Sequence, residues 1–452
     1  MLTIAEIVKA TQGRLVNGSF GRRIKNVSID SRTLKPGALF IAIKGDNFDG
    51  HDFIGEAVKK GAGGIIKEKN KGTAVVGPTA CIEVKDTVKA LGNCASLVRK
   101  KYAIPVIAIT GSSGKTTAKD MIAWVLGKKF KVLSNEGTQN NHIGVPLTLL
   151  KLNPDFDMAV LEFGTNHFGE IKYLTAVARP TIGIITAIGS AHLEYFRSRE
   201  NVFKEKYTLV QTLEKPKIAI LNADDPMLYG QILKKTKLPF ILGYGVKNKS
   251  DFFASDVRHD QQRLAFSVNL KNPLTLHTLG YHNIYNALIA TAVARLFGLR
   301  YPEIASRLSS FDFPAGRLKV VEKKRARFID DTYNANPDSL QQALSALDRC
   351  NCRGRRILVI GDMLELGKQQ RFFHLQAGRD AAKICDVLIT VGDLSRLAAD
   401  AARLGGLDMK NIFSCANTRN ARAILLHTVC VKKDDIVLVK GSRRMKMEEI
   451  LK

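Results

Sequence analysis

One glycine-rich turn constrains the fold of this chain more than any other stretch. It reads T-G-S-S-G-K-T-T over residues 110–117, after an apolar run at 106–109 and before apolar side chains at helical spacing over 117–126. A buried strand that enters a glycine turn and leaves it as a helix forms a phosphate cradle, because backbone N–H groups and the helix dipole both favour an anion there. The usual P-loop pattern has glycine where Ile109 stands, so this is a variant of that motif. The alternative is an ordinary surface turn before a helix.

The side chains of this loop have the chemistry that nucleoside triphosphate binding requires. Lys115 is placed to reach the β- and γ-phosphates, and the Thr116 hydroxyl is placed to bind Mg²⁺. We predict that ATP is bound by the whole loop, which comprises Thr110, Gly111, Ser112, Ser113, Gly114, Lys115, Thr116 and Thr117.

The chain is strongly basic, with a formal net charge of +27 over 452 residues. Such a charge favours nucleic acid or small acidic substrates as partners. The basic residues are spread along the chain, and aromatic residues make up only 7% of it, without the interleaving of bases and rings that single-stranded nucleic acid binding needs. We therefore expect a solvated basic surface and no nucleic-acid partner; a P-loop ATPase stimulated by nucleic acid is the alternative.

The apolar and cysteine content predicts a protein of the cytoplasm. No apolar run approaches the length of about 20 residues that spans a bilayer, and residues 1–13 lack the pattern of a secretory leader. The seven cysteines are scattered and form no zinc motif, which favours free thiols in a reducing compartment. We expect a monomer without a membrane span.

The order of predicted elements indicates an α/β chain of three domains. Residues 1–100 predict a small α/β domain that begins with a helix at 4–11, and residues 101–312 alternate strands and helices as in a mostly parallel sheet. Residues 313–452 predict a third α/β block with strands at 328–330, 357–360, 387–391 and 436–439. Polar residues follow these strands, as at the working edge of a nucleotide-binding sheet.

Two polar residues end predicted strands of the central domain. Glu162 follows an apolar strand at 157–161, which is the Walker B arrangement that orients Mg²⁺; the alternative is an exposed glutamate at a strand end. His192 follows a predicted strand at 181–188, at the edge where Glu162 is expected, and suits a metal or substrate contact. A structural histidine is the alternative.

Two further groups of polar residues are weaker candidates. Asn283 and Asn286 share one face of a helix predicted over 280–297, where two carboxamides suit a base edge or a phosphate-bearing loop. Helix capping is an alternative explanation for Asn283. The polar loops at 28–32 and 45–51 could hold a polar ligand, although turn chemistry explains them equally well.

Taken together, the motifs resemble those of the Mur ligase family along the whole chain. The matching stretches are T-G-S-S-G-K-T-T at 110–117, N-N-H-I-G-V-P at 140–146, L-E-F-G-T-N-H-F-G-E-I at 161–171, H-L-E at 192–194, L-N-A-D-D-P at 221–226, H-N-I-Y-N at 282–286, P-A-G-R-L at 314–318, D-D-T-Y-N-A-N-P-D-S at 330–339, G-D-M-L-E-L-G at 361–367 and K-G-S-R-R-M-K-M-E at 440–448. Three of them, at 333–339, 361–367 and 440–448, resemble the member that adds D-alanyl-D-alanine rather than diaminopimelate or lysine.

This resemblance implies a fold and a reaction. The implied fold has an N-terminal UDP-binding domain, a central P-loop ATPase and a C-terminal Rossmann-like domain that closes over the site. The implied reaction is the ATP-dependent ligation of D-alanyl-D-alanine to UDP-N-acetylmuramoyl-tripeptide through an acyl phosphate, giving the UDP-pentapeptide, ADP and phosphate for peptidoglycan synthesis. A related ligase with another amino-acid acceptor is the alternative.

The resemblance also implies roles for the residues that match the family's motifs. Catalysis is expected from Lys115, His192, Lys206 and Arg317. Further ATP contacts are expected from Asn283, Asn286, Arg317 and Asp331. Two Mg²⁺ ions are expected at Thr116, Glu162, His192 and Lys206. The UDP-sugar is expected near Ser31, Arg32, Gly50 and His51, and the muramoyl substrate is expected to face Asn140 and Asn141. The incoming dipeptide is expected near Asn334, Asn336 and Lys440.

Lys206 matches the lysine that many family members carry in carbamylated form. The carbamate would supply a carboxylate to the second Mg²⁺. The surrounding residues depart from the usual A-K-x-E pattern, since Thr208 stands where an acid is common. A surface lysine on an amphipathic helix is the alternative.

Overall fold

The computed structural model describes residues 2–137, 139–233, 240–260, 262–323 and 326–452. These residues form three units, each with its own mostly parallel sheet and flanking helices. The prediction of an α/β fold with mostly parallel sheets is therefore confirmed. We call the three units N-terminal, central and C-terminal; the domain boundaries at 100/101 and 312/313 stay predictions.

The N-terminal unit is a small α/β layer. Within the described ranges its strands are β1 Leu2–Thr3, β2 Arg14–Asn17, β3 Arg23–Ile24, β4 Val27–Ser28, β5 Leu39–Ile41, β6 Gly64–Glu68 and β7 Ala80–Val84. Its helices are α1 Ile4–Thr11, as predicted, α2 Ile54–Lys59 and α3 Thr87–Lys101, with 3₁₀ turns at Ser31–Thr33 and Gly50–Phe53. The main sheet has the order β2-β7-β6-β5-β4 and is parallel except for β2.

The central unit is built on a large sheet of β8 Val106–Thr110, β9 Val132–Ser134, β10 Met158–Glu162, β11 Ile182–Ile185, β12 Ile218–Asn222, β13 Phe240–Gly245, β14 Phe252–Asp260, β15 Arg263–Val268 and β16 Asn272–His277. Among the described residues the strand order is β16-β15-β14-β13-β12-β11-β8-β10-β9. Its helices are α4 Lys115–Leu126, α5 Gly144–Leu149, α6 Glu170–Ala178, α7 Leu193–Phe196, α8 Arg199–Gln211, α9 Pro226–Leu233, α10 Asn283–Leu296 and α11 Tyr301–Ser309. Strands β14 to β16 form an antiparallel meander that the strand-and-helix pattern did not predict.

The C-terminal unit has a sheet of β17 Lys319–Lys323, β18 Ala326–Asp331, β19 Arg356–Gly361, β20 Val387–Val391, β21 Ile412–Cys415 and β22 Ile436–Lys440, in the order β17-β18-β22-β19-β20-β21. Its helices are α12 Pro337–Arg349, α13 Gln370–Ala382, α14 Arg396–Leu404 and α15 Thr418–Ala423, with a π turn at Ile424–Thr428 and 3₁₀ turns at Gly367–Gln369, Met409–Asn411, Arg443–Met445 and Met447–Leu451. The four predicted strands are β18, β19, β20 and β22; the outer strands β17 and β21 were missed. These outer strands are only partly buried, so they lack a continuous apolar run.

Strand β8 lies in the interior of the central sheet and is covered on both faces. Ile107 and Ile109 pack with helices α4 and α10, whereas Val106 and Ala108 pack with α3, α5 and α6. This division follows from the alternation of side chains along a strand. A strand buried on both faces must be apolar throughout, which explains why residues 106–109, before the glycine turn, are all apolar.

Two predicted elements are shorter in the structure. The strand predicted over 181–188 ends at Ile185, because the next residue turns toward the glycine-rich loop: the Thr186 hydroxyl donates to the carbonyl of Ser113 at 2.5 Å. The helix predicted from residue 280 begins at Asn283. Within the part of the chain that the structure describes, no helix has the length and apolar character needed to cross a bilayer.

Candidate active site

A cleft of about 370 Å³ lies between the central and C-terminal units, at the carboxyl ends of both sheets. Most of the predicted site residues line it. From the central unit these are Ser112, Ser113, Gly114, Lys115, Thr116, Thr117, Asn140, Asn141, Glu162, His192 and Asn283. From the C-terminal unit they are Arg317, Asp331, Asn334, Asn336 and Lys440.

The glycine-rich loop forms one wall of the cleft. Gly114 has φ +79° and caps α4, whose first residue is Lys115. A Cβ on Gly114 would come within 2.9 Å of the Asn286 Oδ1 atom, and one on Gly111 within 1.8 Å of the Thr186 hydroxyl. The loop therefore needs glycine at both positions. The start of α4, where a helix leaves its first N–H groups without intrahelical partners, lines the cleft, as an anion site requires.

Lys115 is half-buried against the same loop. Its Nζ donates to the carbonyl of Gly111 at 2.8 Å. Burial lowers the pKa of the Lys115 ammonium, Glu162 opposes that shift, and the Arg317 guanidinium adds to it. An anion that binds between Lys115 and Arg317 would therefore relieve a repulsion between these two cations.

Thr116 and Glu162 bring a hydroxyl and a carboxylate together beneath the loop. The Thr116 hydroxyl donates to Glu162 Oε2 at 2.7 Å, and the Asn140 side-chain amide donates to Oε1 at 2.8 Å. Glu162 is only 2% exposed, so the alternative of an exposed glutamate at a strand end is wrong. The side chain of Asn135, which we did not predict, accepts a hydrogen bond from the Glu162 backbone N–H at 2.8 Å and holds this strand end.

The C-terminal unit contributes a cation to this wall. Arg317 Nη2 donates to the Thr116 hydroxyl at 2.8 Å, and the guanidinium lies 4.0 Å from the centre of the Tyr333 ring. Stacking fixes the plane of the guanidinium and leaves its edge free for hydrogen bonds. The Asn336 side-chain amide lies 3.5 Å from the carbonyl of Ser112, so a second residue of this unit reaches the glycine-rich loop.

Lys440 and Asp331 form a buried ion pair on the C-terminal side of the cleft. The Lys440 ammonium also donates to the carbonyl of Asn334 at 3.0 Å. His282 lies near this pair and near Arg317, and burial lowers its pKa to about 4. The imidazole of His282 is therefore neutral at neutral pH.

His192 faces the cleft from the central unit and is held from the C-terminal unit. Its Nδ1 lies 2.6 Å from Glu365 Oε2. Burial lowers the pKa of His192, and the hydrogen bond from His192 lowers the pKa of the Glu365 carboxyl. At neutral pH the pair is therefore a neutral imidazole and a carboxylate.

Lys206 lies in α8, behind the residues that line the cleft. It is only 1% exposed, so the alternative of a surface lysine is wrong. Among the described residues its ammonium has no hydrogen-bond or ion-pair partner, while the neighbouring Glu205 accepts from the backbone N–H groups of Gly169 and Ile171. Burial and then the charge of Lys115 lower the pKa of Lys206 to about 7.

Three predicted ATP contacts lie beside the cleft or beneath it. Thr110 is buried and its hydroxyl donates to the carbonyl of Phe163 at 3.0 Å, and Gly111 packs on Thr186. Asn286 lines an adjoining cavity of about 280 Å³ and donates to Asn283 Oδ1 at 2.9 Å. The capping alternative for Asn283 is wrong, because α10 has no side-chain cap and Asn283 is its first residue.

The four predicted substrate residues of the N-terminal unit do not line the cleft. Arg32 is exposed and paired with Asp30, and the Ser31 hydroxyl donates to Glu56. His51 is buried, with Nδ1 2.6 Å from Asp49 and Nε2 accepting from the Glu68 backbone N–H at 3.0 Å. Gly50 packs against Ile43, where a Cβ would meet the backbone at 2.6 Å. His51 and Gly50 therefore shape the loop, and Arg32 is an exposed cation of this unit.

The donors in the cleft suit a magnesium ion that shares a nucleotide's phosphates. The described residues contain no group of three or more histidine, cysteine or acidic side chains arranged to hold a metal ion by themselves. Mg²⁺ usually takes one or two protein oxygens together with phosphates and water, and Thr116 with Glu162 provides one hydroxyl and one carboxylate oxygen 2.7 Å apart. The residues present therefore fit Mg²⁺ bound with a nucleotide.

Comparison with protein-family models accounts for the three units in order. Residues 23–98 match the model described as Mur ligase family, catalytic domain; residues 109–294 match the Mur ligase middle domain; and residues 316–443 match the Mur ligase, glutamate ligase domain. A Bacillus subtilis protein named UDP-N-acetylmuramoyl-tripeptide–D-alanyl-D-alanine ligase is 33% identical over 458 residues, covering 100% of this chain and 97% of its own length.

The chain belongs to the Mur ligase family.

Solved structures of Mur ligases share the whole architecture. A crystal structure of MurF from Acinetobacter baumannii is 32% identical, with a TM-score of 0.90 over 99% of this chain and 97% of its own. The structure of MurF ligase from Thermotoga maritima in complex with ADP is 28% identical, with a TM-score of 0.82 over 94% of this chain and 96% of its own. The predicted Mur ligase family and the three-domain α/β fold are confirmed.

Several residues of this Mur ligase site were not predicted from the sequence. Tyr333, Asp338 and Glu365 lie within motifs that we matched to the family at 330–339 and 361–367, so a signal for them was present. Their partners could not be predicted from the sequence, because they are distant in the chain. Asp338 Oδ2, for example, accepts a hydrogen bond from the backbone N–H of Ser190, 148 residues away, at 2.6 Å. Asn135 lies outside every motif that we matched.

Proposed function

We propose that this Mur ligase joins D-alanyl-D-alanine to UDP-N-acetylmuramoyl-tripeptide and converts ATP to ADP and phosphate. The names of its relatives support these substrates, and its full-length similarity to them supports the same reaction class. The enzyme acts as a monomer in the cytoplasm, where soluble precursors of peptidoglycan are made.

The hydrogen-bonded chain from Arg317 through Thr116 to Glu162 carries this proposal. Arg317 of the C-terminal unit lies 2.8 Å from the Thr116 hydroxyl of the P-loop, and this hydroxyl lies 2.7 Å from the Glu162 carboxylate at the end of a strand. An ATPase site confined to one domain has no need of a cation from a second sheet. A ligase does, because it must bring two phosphate-bearing substrates and a carboxylate together before reaction.

The reaction proceeds in two steps that need charge neutralisation and the exclusion of water. A carboxylate oxygen of the tripeptide attacks the γ-phosphorus of ATP, and the bond between that phosphorus and the β,γ-bridging oxygen breaks. The products of this step are ADP and an acyl phosphate. The amine of D-alanyl-D-alanine then attacks the acyl carbon, and inorganic phosphate leaves as the amide forms. Lys115 and Arg317 stabilise the negative charge on the transferring group, and seating of the C-terminal unit keeps water from the acyl phosphate.

Thr116 and Glu162 hold Mg²⁺, with His192 as a further candidate ligand. When bound, the ion neutralises charge on the nucleotide's phosphates. Asn140 keeps Glu162 oriented by its bond to Oε1, while Asn334, Asn336 and Lys440 face the incoming dipeptide. Lys206 is carbamylated in this proposal, because a neutral buried amine reacts with CO₂ and its carbamate would supply a carboxylate to a second Mg²⁺.

The UDP end of the muramoyl substrate binds the N-terminal unit in this proposal. Arg32 presents an exposed guanidinium there, and Ser31, Gly50 and His51 shape the surrounding loops. Asn283 and Asn286 lie beside the P-loop, where the adjoining cavity suits the nucleoside of ATP.

The deciding experiment measures phosphate release from Mg-ATP with UDP-N-acetylmuramoyl-tripeptide, with and without D-alanyl-D-alanine, and identifies the product by mass spectrometry. We expect release to require both substrates and to yield the UDP-pentapeptide. Tripeptides ending in lysine and in diaminopimelate, offered in parallel, establish the third residue. Ligation of a single amino acid instead of the dipeptide would favour a related ligase, and release stimulated by DNA without either substrate would contradict the proposal.

A further inference from the structure

We propose that Glu365 is a positioning residue for His192: by accepting the hydrogen bond from His192 Nδ1, it fixes the imidazole with Nε2 as the nitrogen available to the cleft. The effect on ligation rests on the proposed function, whereas the effect on the imidazole does not. No role was predicted for Glu365 from the sequence.

The contact itself is short and spans the two units. Glu365 Oε2 lies 2.6 Å from His192 Nδ1, although 173 residues separate them in the chain. His192 lines the cleft, and among the described residues this carboxylate is the hydrogen-bond partner of its side chain. An ionised carboxylate only accepts hydrogen bonds, so Nδ1 must carry the proton.

The proton on Nδ1 decides what the other nitrogen can do. In a neutral imidazole one nitrogen donates and the other accepts, so a proton on Nδ1 leaves a lone pair on Nε2. A lone pair is what a metal ion or a substrate N–H requires of a histidine. Partners that hold a histidine in one tautomer typically change metal affinity or activity by about 10- to 100-fold when they are removed.

The backbone around this pair is arranged to bring the two side chains together. His192 has φ +54° and Glu365 has φ +63°, a left-handed conformation that costs free energy for residues other than glycine. The backbone N–H of Glu194 donates to the carbonyl of Glu365 at 3.1 Å. A Cβ on Gly367 would come within 3.0 Å of the Glu194 Cα. Backbone strain at both His192 and Glu365, together with the backbone hydrogen bond from Glu194 to Glu365 beside them, indicates that this contact is held in place by the surrounding structure.

This arrangement makes one residue of the central unit depend on the C-terminal unit. Glu365 follows strand β19 of the C-terminal sheet, and His192 follows strand β11 of the central sheet. The tautomer of His192 is therefore fixed only where the two units meet.

The test reads the tautomer directly, in the full-length protein labelled with ¹⁵N-histidine. Long-range ¹H–¹⁵N spectra distinguish Nδ1–H from Nε2–H, and comparison with His192→Ala assigns the signal among the chain's nine histidines. We expect Nδ1–H in the wild-type protein and a mixture of tautomers in Glu365→Ala. An unchanged Nδ1–H population in Glu365→Ala would overturn the proposal.

Kinetics provide the second measurement. We expect Glu365→Ala to lower kcat by about 10- to 100-fold, with Glu365→Gln, which keeps a hydrogen-bond partner, retaining more activity. In a His192→Ala background, Glu365→Ala should lower kcat no further. If kcat fell there by the same factor as in the wild-type background, Glu365 would act on a residue other than His192. Glu194→Ala is the matched control, because it removes an exposed carboxylate from helix α7, two residues from His192. A wild-type protein that shows the Nδ1–H tautomer but no ligation would disprove the proposed function and leave this inference standing.

Discussion

Arg317 and Thr116 are 201 residues apart in the chain, yet Arg317 Nη2 lies 2.8 Å from the Thr116 hydroxyl oxygen. The bond joins the C-terminal unit to the first turn of the P-loop helix. Thr116 also donates to Glu162. The C-terminal unit is therefore linked, through Arg317 and Thr116, to the carboxylate that we propose as a Mg²⁺ ligand. The candidate site is thus a property of two units together.

Replacing Arg317 with lysine should lower kcat for phosphate release about 100-fold, because an ammonium cannot stack on Tyr333 and donate to Thr116 at the same time. The matched control is Arg307→Lys, since Arg307 stacks in the same manner at 3.8 Å from the centre of the Trp124 ring, outside the cleft. We expect the control to keep its kcat. Equal losses in both variants would attribute the effect to lost packing.

Gly114→Ala should abolish nucleotide binding, whereas Gly298→Ala should not. Both glycines have φ +79°, so both variants pay a similar backbone cost of about 1–2 kcal/mol. Only the new Cβ at 114 meets a neighbour, the Asn286 Oδ1 atom at 2.9 Å; nothing lies within 4 Å at 298. Titration calorimetry with ADP and thermal melting separate the two effects. Comparable loss of ADP binding in both variants would contradict the steric explanation.

Carbamylation of Lys206 should depend on pH in one direction. CO₂ adds to the neutral amine, and the pKa of about 7 makes that form abundant at pH 8 and scarce at pH 6. Incubation with ¹³C-bicarbonate should therefore give a carbamate signal at pH 8 that fades at pH 6 and is missing in Lys206→Met. A signal of the same size in the Lys206→Met protein would place the carbamate on another amine.

His282 should make the folded protein less stable in mild acid. Its pKa is about 4 when folded and about 6.5 when unfolded. Between these values the unfolded chain binds the extra proton, so the free energy of unfolding rises with pH from about 4 to 6.5 and the penalty is complete below 4. In urea unfolding of His282→Asn, the free energy of unfolding should rise less between pH 4 and pH 6.5 than in the wild-type protein, by about 1–3 kcal/mol. His427→Asn, at an exposed histidine, is the control and should keep the wild-type dependence.

Local patterns were sufficient for those parts of the fold that depend on neighbouring residues. The apolar run at Val106–Thr110, the glycine turn and helix α4 follow one another in the chain, so spacing alone located them. The antiparallel strands β14 to β16 were not predicted, because the pattern of their partly exposed residues is as typical of loops as of strands.

The site was harder to predict where its contacts join distant segments. Glu162 could be placed because it ends an apolar strand, but the pairing of His192 with Glu365 depends on how two separate sheets meet. His51 illustrates the opposite limit: its sequence context suggested a ligand, whereas both of its ring nitrogens bond within the N-terminal unit.

Three of the contacts described above between the C-terminal unit and the central one lie at Thr116, Ser190 and His192. Any motion that parts the two sheets must break all three and move a unit of more than a hundred residues through water. Solvent friction then enters the rate of each turnover. Added glycerol should slow the enzyme in proportion to viscosity wherever that separation, rather than bond formation, is the slowest step.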